Sequence, residues 1–401
     1  MVLAVVVLLP WVVLVALSLR LWSTPASAGP VAAAPKAMSS TKRHCKPGPW
    51  GEIEYFDLVT QPPDEFISAS FFSDVHPRWV FKGFSKETLS ELLAATDVTE
   101  TQRKAIESSA ESPAAGDQCV VKPPADLILG LSAKARARIY AVLAKFPENS
   151  AQRDPFIFRP SQINAWLAKS GLAPSTVELV EGLLYVHGDR LLLADCSTLL
   201  KQIPDAAERL RLLRVLFRRE AVFPRLRVTP SSDVKELTGY WGKGGRGIAV
   251  GPLLDSIPPR AEGITVDIAL LLPPFARDRL YTYPMPTTSA QTASHDCHWS
   301  ALNFFNETPD ERFTRADVIR ATIESDYYPV PGRPSFGDVA LFFAPDQSIV
   351  HSAVYIADDI LFTRNGTSFT SPWLLMTEAE VRACFPAYEK LNVTYYRLKK
   401  L

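Results

Sequence analysis

Cys297 is the residue whose type and setting point most directly to chemistry. It stands in Ser294-His295-Asp296-Cys297-His298-Trp299-Ser300-Ala301-Leu302. Asp296 or Ser294 can cap a helix that continues through Phe304 and Phe305. A thiol in the first turn of that helix feels the positive end of the helix dipole, which favours the nucleophilic thiolate. Such a nucleophile needs an imidazole that takes its proton and returns it to the leaving group. His351 is the candidate base. It sits in the apolar run 349–356, on the strand face shared with Ala353 and Tyr355. A third polar group then holds the imidazole tautomer. Thr363 and Asn365 lie on one side of the strand at 360–364, and either could accept from the ring.

The elements that must position these groups are legible. Gly337-Asp338 reads as a tight turn feeding a buried strand over 339–343. A second turn at 344–348 returns the chain into the histidine strand. Thr377-Glu378-Ala379-Glu380 reads as a capping box, and 393–397 closes the chain as a strand. Before this region, 265–272 alternates as a strand and 280–283 offers a second one. His298 and Trp299 would wall the nucleophile. Gly239-Tyr240-Trp241-Gly242-Lys243-Gly244-Gly245-Arg246-Gly247 reads as a loop whose Tyr240 and Trp241 line a cleft; Gly245 stands where a phosphate loop needs Lys. His295, Cys297, His298 and His351 are all zinc-ligand types, but neither Cys-x-x-Cys nor His-Glu-x-x-His spacing occurs. No metal and no cofactor is expected.

Asp296-Cys297, then Gly337-Asp338-Val339 with Phe342, then His351 running into Ala353-Val354-Tyr355-Ile356, resembles the NlpC/P60 superfamily of papain-like cysteine peptidases and amidases. The similarity covers roughly 287–397. It implies a helix packed on an antiparallel sheet, with Cys297 as nucleophile and His351 as general base. The family's third residue, about twelve positions beyond the histidine, falls on Thr363, and Asn365 lies two further on. The family's Ser-Gly after the cysteine is His298-Trp299 here. The resemblance implies hydrolysis of peptide or amide bonds in cell-wall peptidoglycan.

The expected fold class is α+β. Residues 1–28 read as a signal peptide or anchor: 1–17 is almost wholly apolar, and Ala26-Ser27-Ala28 supplies a cleavage pattern. Residues 29–44 read as a linker, 45–262 as a mainly helical region of no recognised family, and 263–401 as the hydrolase domain. Helical spacing places Leu89, Leu92 and Leu93 on one face after Ser85. It places Leu210, Leu213, Leu216 and Phe217 inward, with Arg211, Arg214, Arg218 and Arg219 on a solvated face. The chain has five cysteines, of which Cys45 and Cys119 could pair, and Cys196 and Cys384 are simplest as buried thiols. Lys+Arg and Asp+Glu both number 43, so nothing electrostatic argues for nucleic acid.

The expected protein is an exported cysteine hydrolase, periplasmic, secreted or membrane-attached through 1–22, acting on peptidoglycan or a peptide. A non-catalytic binding or scaffold protein on the same fold is the alternative, as is a thiol acyltransferase.

Overall fold

The computed structural model describes residues 36–37, 42–70, 77–111, 118–286, 295–388 and 390–401. The signal or anchor segment 1–28, most of the linker 29–44, and the stretch 287–294 with Ser294 lie outside them. Helices and antiparallel sheets are mixed throughout, the expected α+β class. No helix of the described residues is long and apolar enough to cross a membrane.

From residue 64 to 217 helices dominate, with two three-stranded sheets among them. Helix Lys86–Ala94 opens at Ser85 with a reciprocal cap from Thr88 and buries Leu89 and Leu93. Ala133–Leu143 buries Ile139 and Leu143, and Pro160–Ala168 buries Ile163, Trp166 and Leu167. These faces close over a core of their own. On Ala206–Leu216, Arg211 pairs with Glu208 and Arg214 with Asp64. Arg219 leaves the expected solvated stripe, because the helix has ended and a strand carries it inward.

That helical cluster is an insertion between two strands that pair with each other. β1 (Glu52–Thr60) runs antiparallel to β2 (Arg219–Val228), from Glu52 opposite Arg227 to Thr60 opposite Arg219. β3 (Ile264–Asp267) lines the other edge of β2. The expected boundary between 262 and 263 therefore falls inside a sheet, at a turn where Gly263 has φ +74. β3 is shorter than the expected strand, since Asp267 caps a 3-10 turn over Ile268–Leu271. The expected strand at 280–283 is reduced to a single bridge from Leu280 to Trp373.

α1 (Val234–Trp241) and α2 (Gly247–Asp255) follow β2. After them come α3 (Cys297–Leu302), α4 (Ala316–Asp326), β4 (Tyr327–Pro329), β5 (Val339–Phe343), β6 (Ile349–Ala357), β7 (Ile360–Arg364), β8 (Trp373–Thr377), α5 (Glu378–Ala383) and β9 (Asn392–Leu398). The strands form one antiparallel sheet in the order β4-β9-β5-β6-β7-β8. β5 to β8 are a meander, and β9 pairs back beside β5. β5 to β8 are buried along almost their whole length, because this sheet is covered on both faces. Its core is continuous with that of β1 and β2 through Trp50, Val222 and Trp241.

The turn before β5 is tightly specified. Gly337 has φ +88, and a Cβ there would lie 2.3 Å from the Phe305 ring, so only glycine fits. Asp338 is fully buried and receives two bonds from Arg397, at 2.8 and 2.7 Å. Cys45 is free, so the pairing open to Cys45 and Cys119 does not form; Cys119 lies in the core of the helical cluster and Cys45 packs against the other core. Cys196 is buried and Cys384 partly so.

Candidate active site

Asp296 caps α3. Its carboxylate accepts from the His298 and Trp299 backbone N–H groups, both at 2.9 Å, and its carbonyl receives the Ser300 hydroxyl at 2.7 Å. This fixes Cys297 as the first helical residue, 8% exposed. Asp296, Cys297 and His298 bring a carboxylate oxygen, the thiol sulfur and a ring nitrogen within 4.8 Å of one another. The His298 Nδ1 meets the Ser352 hydroxyl of β6 at 2.6 Å. Burial pushes the His298 pKa below its ordinary value, against a smaller opposing pull from Asp296, which favours the neutral ring. A neutral imidazole beside a thiol can act as a base.

His351 is not that imidazole. Ser352 meets α3, and successive strand residues point to opposite faces, so His351 points away from it. The rest of the sheet has the same sidedness. On the α3 side, Phe362 packs on Phe304 with centroids 5.6 Å apart, and the Trp373 indole donates to the Ser300 hydroxyl at 2.9 Å. On the other side, His351 is 1% exposed and sits between Phe342 and Phe385, the latter just beyond α5. Its Nε2 meets the Thr363 hydroxyl at 2.7 Å, and that hydroxyl donates to Asn365 Oδ1 at 3.0 Å. The Thr363 oxygen is thereby left to accept, which assigns the proton to Nε2 of His351. Asn365 reaches the sulfurs of Met376 and Cys384 at 3.2 and 3.3 Å.

The expected trio His351, Thr363 and Asn365 thus comes together, with Thr363 as the direct acceptor. The expected Cys297–His351 pair does not: the sheet lies between them. The zinc-ligand types His295, Cys297, His298 and His351 do not all converge, for the same reason. Among the described residues, Asp296, Cys297 and His298 are the group that could converge on a small ion.

Three further expected site residues are placed elsewhere. Tyr240 and Trp241 are 4% and 0% exposed at the end of α1. The Tyr240 hydroxyl donates to the Ile356 carbonyl at 2.7 Å and the Trp241 indole to the Trp50 carbonyl at 3.1 Å. With their polar atoms satisfied internally, their large apolar faces are core, and they line no cleft. Trp299 is 1% exposed, stacked on His295 at 3.8 Å and packed on Phe275. It supports the site from below. His295 in turn meets the Glu311 carboxylate at 2.6 Å.

Sequence reasoning gave no role to Arg364, the last residue of β7. It is fully buried on the α3 face, 4.8 Å above the Trp373 ring. Nε donates to the Ser371 carbonyl and Nη2 to those of Thr367 and Ser368, while Nη1 has no partner among the described residues. Burial pushes its pKa down to about 10, opposed by the nearby Asp296 and Cys297. The available signal was a guanidinium ending a strand that is apolar but for Thr363.

No family model, curated protein or solved structure matches the chain.

Proposed function

We propose that the chain is an exported thiol hydrolase of a peptide or amide bond, with Cys297 as nucleophile and His298 rather than His351 as its base. One observation carries this reading: thiol, imidazole and carboxylate converge within 4.8 Å, and Ser352 fixes the ring at 2.6 Å. In the reaction His298 takes the thiol proton and the sulfur attacks the substrate carbonyl. The proton passes to the leaving amine as the C–N bond breaks, leaving a thioester. Water, deprotonated by the same ring, then hydrolyses the thioester and restores the thiol. Catalytic hydrogen bonds are commonly long before substrate binds, which accommodates the looser Cys297–His298 approach.

The family likeness supports this reading in the capped cysteine, the Gly337-Asp338 turn and the helix-on-sheet frame, but not in the base. The apolar segment 1–17 with Ala26-Ser27-Ala28 supports export, and with the likeness it favours a peptidoglycan peptide as substrate.

The test is incubation with peptidoglycan sacculi and soluble cell-wall peptides, reading released fragments by mass spectrometry. Wild type releases fragments and Cys297→Ala releases none. His298→Ala loses about 100-fold or more in turnover, whereas His351→Gln, which keeps a donor toward Thr363, retains it. Full turnover by His298→Ala would overturn the assignment of the base.

A second reading, a non-catalytic binding module, is favoured by the low exposure of Cys297 and by the sheet that separates it from His351. It predicts that sacculi co-sediment with wild type and Cys297→Ala alike, and that neither releases fragments.

A further inference from the structure

Lys243 is a half-buried cation without a carboxylate of its own. Among the described residues its side chain makes no ion pair, and its one hydrogen bond runs from Nζ to the Ser335 hydroxyl at 2.5 Å. Asp338 is already taken: Arg397 gives it two bonds, and the Ser335 backbone N–H gives a third at 2.7 Å. Burial pushes the Lys243 pKa down, the Arg397 guanidinium adds to that shift, and Asp338 opposes it. The free amine is thereby favoured over that of an exposed lysine, and what faces its nitrogen is a hydroxyl.

Packing fixes this contact. A Cβ at Gly244 would come within 2.6 Å of the Phe305 ring, the same ring that excludes a side chain at Gly337. The turns at 243–245 and 335–338 therefore both close on Phe305, which holds Lys243 against Ser335. Ser335 is set in its turn at both ends, since its carbonyl also accepts the Asp338 N–H at 3.0 Å. Lys243 lines a cleft of about 620 Å³ between α1 and α2, with Val234, Thr238 and four glycines among the other walls. Ser335 is itself only partly buried. The cationic residue of the glycine-rich stretch thus reaches a cleft, while its aromatic neighbours do not.

We propose that Ser335 and Lys243 form a second nucleophile–base pair, separate from the Cys297 site, that takes acyl groups from small esters. The Lys243 amine takes the Ser335 proton as Oγ attacks the ester carbonyl. The bond to the leaving alcohol breaks, and its oxygen receives the proton from Lys243, leaving an acyl ester on Ser335. Water, deprotonated by the same amine, cleaves that ester, frees the acid and restores the hydroxyl. Walls short of side chains suit a compact acyl group.

The test is labelling of the full chain with a small fluorophosphonate, which phosphonylates an activated serine and expels fluoride. Fragment mass spectrometry locates the adduct. Wild type is labelled at Ser335. Lys243→Arg keeps a cation that donates to the hydroxyl but cannot act as a base, and the labelling rate falls about 100-fold or more. Melting curves confirm that the variant folds. Hydrolysis of p-nitrophenyl acetate is then compared between Cys297→Ala and the double variant with Ser335→Ala, so that the thiol contributes to neither; the second change abolishes the enzymatic rate. A folded wild type unlabelled at Ser335, labelling of Lys243→Arg as fast as wild type, or ester hydrolysis indifferent to Ser335 overturns the pair.

Discussion

Asp296 organises the proposed site as a cap before it does anything else. Its carboxylate holds the first two N–H groups after Cys297, and losing it leaves those donors unanswered. Asp296→Ala should cost about 1 kcal/mol of stability, read by denaturant midpoint, and should lower Cys297 reactivity because the helix start frays. Asp296→Asn, which still accepts, should recover most of the stability. The cap and the thiol were readable in the sequence because Asp before a helical pattern is a local signal. The partner of the thiol was not. The motif names His351, but which face a strand residue takes depends on register against its neighbours. A one-residue difference in that phase puts Ser352 where the histidine was expected. Arg364 was missed because its significance lies in an unpaired nitrogen, a property of packing.

Elements show where local pattern was sufficient and where it was overruled. The Gly337-Asp338 turn, β5, β6, β7, α5 and β9 all follow from alternation, turn residues and caps. The turn makes the sharpest test at this scale. At Gly337 a side chain meets both a positive φ and the Phe305 ring. Gly337→Ala should destabilise by about 2 kcal/mol or more, read by chemical unfolding. Gly332→Ala in the preceding loop, where nothing lies within 4 Å and φ is not in the left-handed range, should be near neutral. The 239–247 stretch went the other way. Its glycines suggested a loose loop, yet Tyr240 and Trp241 end a helix and anchor it by hydrogen bonds to carbonyls of β6 and of the segment before β1. Those acceptors are far away in sequence, and no local pattern encodes them. Tyr240→Phe should cost about 1 kcal/mol and leave substrate cleavage unaffected.

Across the molecule, the helical cluster and the two larger sheets meet at a junction of partly buried charges. Arg159 contacts both Glu220 of β2 and Glu380 of α5, with Arg190 and Arg219 nearby. Burial raises the Glu220 pKa to about 7, partly offset by Arg159 and Arg190. The sign follows. Between about pH 4.5 and 7 the folded chain keeps a proton that the unfolded chain has released, so this group's contribution is full below 4.5 and is lost as pH rises through 7. The loss is at most about 3 kcal/mol. Glu220→Gln should flatten the melting temperature across that interval, and an unchanged slope would count against it. The insertion of the helical cluster between β1 and β2 was not legible, because strand pairing across some 160 residues is fixed by tertiary contacts alone. That pairing is also why the expected boundary near 263 fails.

The layering that puts α3 on one face of the six-stranded sheet and His351 on the other governs the whole functional account. Cys297 alkylation by iodoacetamide from pH 5 to 10, in wild type, His298→Ala and His351→Gln, tests it most directly. The account predicts that His298→Ala shifts or flattens the pH profile while His351→Gln follows wild type. A profile altered by His351→Gln and untouched by His298→Ala, both variants folded, would contradict it.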